Sequence, residues 1–98
     1  MKTLTVLVGF ATILVSGPKV MAASLPPPGA ASCSGCHAPG AGPTSSVPRI
    51  FGRDAGEITT AMNGFRDGSL TATVMNRIAK GFSDDEVRAI AAWLAAQK

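Results

Sequence analysis

The 98 residues contain a single histidine, His37, and only two cysteines, Cys33 and Cys36. No other thiol competes with that pair, so any cysteine chemistry is chemistry of these two. Long apolar runs are also lacking. The run at residues 4–15 is broken by Thr5, Gly9 and Thr12, and it falls short of the about 20 residues needed to span a bilayer. Charge is sparse and nearly balanced: nine lysines and arginines face six acids, a net of +3. Residues 23–98 alone keep seven basic side chains against the same six acids. That balance excludes nucleic acid as a partner. No apolar/polar alternation marks a strand, so the βαβ surround that a thioredoxin-like dithiol would need is missing.

What is present begins with Lys2, the apolar run, Gly17-Pro18, and then small or slim residues at Val20 and Ala22. This is the order of a secretory signal peptide. It predicts residues 1–22 as a signal removed after Ala22, and no stable membrane insertion afterwards. Residues 23–29, with Pro26-Pro27-Pro28, read as an extended proline-rich leader. Residues 30–98 then form one small domain, too small to build a sufficient apolar core without a staple.

Cys33-Ser34-Gly35-Cys36-His37 supplies that staple. C-x-x-C-H is the attachment signature of a c-type haem. Two thiols three positions apart on one helical turn can reach two vinyl groups on a porphyrin edge. The imidazole after the second thiol then lies under the ring, where it can bind iron. One covalent haem c is therefore expected, with Cys33 and Cys36 as thioethers and His37 as an axial ligand. Such haem is attached outside the bacterial cytoplasmic membrane, which agrees with export and predicts a periplasmic protein.

The remaining pattern is helical. Residues 30–37 form one or two turns, and residues 38–48, rich in Gly, Pro, Ser and Thr, form a loop. Asp54 with Glu57 opens a helix whose apolar stripe is Ile58, Met62 and Phe65, stopped at Gly68. Residues 71–80 hold a short helix ending at Gly81. Ser83-Asp84-Asp85-Glu86 is a capping box for a last helix that buries Val87, Ile90, Ala91 and Leu94, with Lys98 at its favourable end.

With one histidine in the chain, bis-histidine ligation is excluded. Met62 and Met75 are the candidates for a sixth ligand. Met62 falls on an apolar helical stripe and reads as core. Met75 stands 38 residues after His37 and eight before the last N-cap, where a short segment can bring a thioether over the haem. His/Met ligation raises the reduction potential and closes the iron to oxygen, the properties of an electron carrier. Without Met75 the iron is five-coordinate and a gas-binding role opens.

Cys33 to His37, Gly42-Pro43, Met75 and a final helix containing Trp93 together resemble the class I cytochrome c family. The resemblance implies a small all-α fold of short helices around one haem. It also implies that the carbonyl of Pro43 accepts a hydrogen bond from the axial histidine, as second-shell partners do, and that Trp93 packs on the haem-bearing helix. A narrower match covers residues 64–83. Gly64-Phe65-Arg66-Asp67-Gly68-Ser69 and the stretch from Thr73-Val74-Met75-Asn76 to Lys80-Gly81-Phe82-Ser83 are similar to the haem subunits of flavocytochrome c sulfide dehydrogenases. Val74, Asn76 and Phe82 depart from that family's isoleucine, glycine and tyrosine.

This second resemblance implies a task. An FAD-containing flavoprotein subunit oxidises sulfide and passes single electrons to this haem, which passes them to a soluble acceptor such as another cytochrome c. Arg77 and Lys80, just after the ligand, would form part of a docking face. The chain would carry no catalytic residue of its own. A free-standing cytochrome c in a respiratory or photosynthetic chain is the alternative. A dithiol oxidoreductase and a five-coordinate gas-binding protein rank lower.

Overall fold

The computed structural model of the protein describes Gly17 and residues 25–97. Apart from Gly17, the signal peptide expected at residues 1–22 lies outside the described residues, as does Lys98. Four helices follow one another: α1 (Ala30–Cys33), α2 (Ala55–Asp67), α3 (Met75–Ala79) and α4 (Asp84–Ala95). No strand occurs among the described residues, so the all-α expectation holds. None of these helices is long and apolar enough to cross a membrane.

Local chemistry sets the helix boundaries. At α4, Ser83 Oγ accepts from the Glu86 amide at 3.3 Å while Glu86 returns Oε2 to the Ser83 amide at 2.8 Å. This reciprocal box satisfies two otherwise orphaned donors. At α2, Asp54 accepts from the Glu57 amide at 3.0 Å, and Gly68 ends the helix in the left-handed region at φ 85°. The Asp67 carboxylate accepts from the Ser69 amide at 2.8 Å, which holds its carboxyl below the usual carboxylate range.

The proline-rich leader departs from expectation. Instead of continuing extended into the domain, Pro27–Ala30 closes a turn, with the Ala30 amide donating to the Pro27 carbonyl at 3.0 Å. Pro28 pre-sets the first central position and Gly29 takes the second at φ 85°, the geometry of a type II turn. The turn seats the chain closely: a Cβ on Gly29 would lie 2.7 Å from the Phe82 ring.

α4 packs on α2 and α1, and α3 packs on α2. Val87, Ile90, Ala91 and Leu94 are buried as their spacing predicts, together with Ala30, Ile58 and Ala79. Burial of each large member is worth about 1.5–3 kcal/mol. Yet among the described residues only Leu94 and Val87 are large side chains buried almost completely. Trp93 meets Phe51 edge-on, centroids 6.2 Å apart and planes at 73°. The indole thus meets the loop before α2, and it also packs against the core cluster that includes Ala30 of α1. The same loop is tied to α4 by the Gly52 amide, which donates to the Leu94 carbonyl at 2.9 Å.

Candidate haem-binding site

The sparse core surrounds a cavity of about 690 Å³, walled by α1, residues 46–50, α2, residues 71–78 and the buried side of α4. That volume falls within the range of cofactor pockets. Apart from His37, Arg53 and Glu57, the described residues on its wall carry no ionisable side chain besides the two cysteines. Ile50, Phe65 and Phe82 line it, and so do Val74 and Ile78, which remain 50% and 40% exposed. Such apolar walls suit a large, flat, apolar group that covers them.

Cys33, Cys36, His37 and Met75 all line this cavity. α1 ends at Cys33, and a further turn brings the His37 amide to the Cys33 carbonyl at 2.8 Å. Cys33 and Cys36 are both free thiols, the first half-buried and the second exposed. Burial pushes the Cys33 thiol up, partly offset by a backbone hydrogen bond; its Sγ points to the Gly29 carbonyl at 3.8 Å.

His37 Nδ1 lies 2.6 Å from the carbonyl oxygen of Pro48. A carbonyl can only accept, so Nδ1 donates, and Nε2 is the ring nitrogen left for a metal. This corrects the assignment to Pro43. Pro43 is exposed and absent from the cavity wall, whereas Pro48 lines it. The reason is the loop's path. Ser45 closes a turn on Gly42, its hydroxyl bonds both the amide and the carbonyl of Val47, and Pro48 is thereby presented to the ring. Three prolines, Pro39, Pro43 and Pro48, stand in this one irregular loop, and the residues around them gave no signal for choosing Pro48.

Met75 is the first residue of α3 and half-buried. Met62 lines the cavity too, but it packs against the core cluster of Ile58, Ile90 and Leu94, which Met75 does not. The Met62–Phe65 stripe on α2 is therefore cavity wall as well as core. Arg77 and Lys80 are exposed and stand off the wall. Arg53 is on it, paired with Glu57 at 3.4 Å. The sequence also gave no sign of Arg66, whose side chain bridges to residues 79–84.

The donor set fits a covalent haem: two thiols one turn apart, an imidazole whose Nε2 is left for a metal, a thioether and largely apolar walls.

The family described as cytochrome C oxidase, cbb3-type, subunit III, matches residues 29–94. Among curated proteins, the cytochrome subunit of sulfide dehydrogenase from Chlorobaculum tepidum is 43% identical over 60 residues, 61% of this chain and 54% of that protein. The thiosulfate dehydrogenase electron acceptor from Stutzerimonas stutzeri is 33% identical, covering 92% of this chain and 46% of its own. A thiosulfate dehydrogenase electron acceptor from Thiomonas intermedia is 34% identical over 73 residues, 70% of this chain and 34% of its own. The chain thus spans about half the length, or less, of the curated relatives it matches. With the site geometry above, the match across two-thirds of the sequence places this chain in the cytochrome c family, as a class I electron-transfer domain with covalent haem c.

Proposed function

We propose that this protein is a periplasmic electron carrier whose iron is held by His37 and Met75, with Cys33 and Cys36 as the thioether anchors. The observation that carries the reading is one cavity wall bearing all four residues, with the imidazole already fixed by Pro48. When bound, the haem supplies an iron that cycles by one electron. The Pro48 carbonyl orients the His37 ring and strengthens its donation. Met75 would supply a soft thioether that favours the reduced state and keeps oxygen from binding. The apolar side chains around it exclude water, and the only charged side chains among the described residues of the wall, Arg53 and Glu57, are paired with each other.

The electron donor we propose is an FAD-containing flavoprotein that oxidises sulfide, with a soluble cytochrome as acceptor. The 43% identity to the Chlorobaculum tepidum subunit supports this. A second reading, reduction by a thiosulfate dehydrogenase, has the longer but weaker match to the Stutzerimonas stutzeri acceptor in its favour.

Absorption spectra of the matured protein test the ligands. A c-type α-band and the weak near-infrared methionine–iron band are expected. Met75→Ala should lose that band and bind carbon monoxide when reduced, while Met62→Ala keeps it. The reverse order would overturn the Met75 assignment. Stopped-flow reduction by each candidate donor, with sulfide or thiosulfate present, separates the two partners.

A further inference from the structure

Met75 opens a helix of five residues with no side-chain cap at its N-terminus. Isolated helices shorter than about 12–15 residues are marginal in water, so α3 must be held from outside. Of the other helices, α3 packs against α2 alone. One α2 side chain reaches across that contact. Arg66, in the last turn of α2, donates from Nε to the carbonyl of Ala79 at 3.4 Å and from Nη2 to the carbonyl of Phe82 at 2.6 Å. Its Nη1 pairs with the Asp84 carboxylate. Those three acceptors are the last residue of α3, the connector after it, and the first residue of α4.

The guanidinium has the shape for this task. Its planar fork presents several donors in fixed directions, which an ammonium cannot copy. The side chain is 28% exposed, so its bonds are less screened than those of a surface pair. The Ala79 carbonyl is also one of those that the C-terminus of a short helix leaves without an intrahelical partner.

From this arrangement we infer that Arg66 is the positioning residue for the methionine side of the cavity. It locks the end of α3 to α2, so that Met75 cannot swing away from the iron. The inference rests on reading Met75 as the ligand. A plain brace between α2 and α4 would need only the Asp84 arm; the two carbonyl bonds belong to α3 and its connector.

The test uses the matured holoprotein in the ferric state, titrated with imidazole while the near-infrared methionine–iron band is followed and helix content is monitored by circular dichroism. Arg66→Gln should lose the band at about tenfold lower imidazole than wild type. Arg66→Lys, keeping charge without the fork, should shift it by about threefold or more. Asp84→Asn and Arg88→Gln should stay within about twofold. Helix content should be unchanged in all four. An Arg66→Gln titration that coincides with wild type or with Asp84→Asn overturns the inference. If Arg66→Gln does not mature, Arg66→Lys against Asp84→Asn decides it: separation supports the role and coincidence overturns it. A wild-type protein without the band overturns the ligand reading, and this inference with it. A normal wild-type band with an unmoved Arg66→Gln titration overturns this inference alone.

Discussion

The Nδ1–H of His37 donates to the carbonyl of Pro48 across 2.6 Å, joining the residue after the second thiol to the far end of the following loop. Proline at that position restricts the backbone that presents the acceptor. Replacing Pro48 by Gly should therefore raise the hydrogen-exchange rate of the His37 ring N–H by about tenfold. Pro43→Gly, in an exposed part of the loop, should leave the rate unchanged. Nitrogen-resolved NMR of the reduced protein reads both.

Leu94 is 1% exposed and closes the buried stripe of α4. Truncation to Ala should cost about 2–5 kcal/mol of stability in denaturant unfolding, from lost burial and the void left behind. Ser83→Ala, which removes one half of the capping box, should cost about 1 kcal/mol.

Gly29 and Gly68 share φ 85° but differ in surroundings. An alanine at Gly68 meets nothing within 4 Å, while one at Gly29 meets the Phe82 ring at 2.7 Å. Gly68→Ala should lose about 1–2 kcal/mol for the left-handed backbone alone. Gly29→Ala should lose roughly 1–3 kcal/mol more through overpacking. Paired unfolding curves give the difference directly.

The Asp67 carboxyl sits below its ordinary range because the Ser69 backbone amide, and then its side chain, bond to the charged form. A depressed carboxyl stabilises the fold above its unfolded value and loses that contribution as pH falls through the folded one. Asp67→Asn should thus be less stable than wild type at neutral pH. The gap should close as the solution is acidified, measured as thermal midpoints across the acid limb.

Local signals carried well from sequence to structure. The Ser83–Glu86 pair predicted the start of α4, and the spacing of Val87, Ile90, Ala91 and Leu94 predicted its buried side, because both depend on residues within one or two turns. Asp54 and Gly68 bracketed α2 in the same way. Long-range geometry was not legible. Pro48 is chosen over Pro43 by the Ser45 turn, and a stripe such as Ile58, Met62 and Phe65 looks alike whether it faces core or cavity. Arg66 finds acceptors 13, 16 and 18 residues away, a relationship no helical period encodes.

The scarcity of large, fully enclosed side chains around so sizeable a cavity bears on the life of the protein in the cell. Much of the apolar surface that would hold a domain of this length together faces the space meant for the prosthetic group. Folding then leans on thioether formation, and chains that miss their haem are more open to proteolysis. The steady-state amount of this cytochrome should follow the capacity of the haem-ligation machinery more closely than the rate of its synthesis.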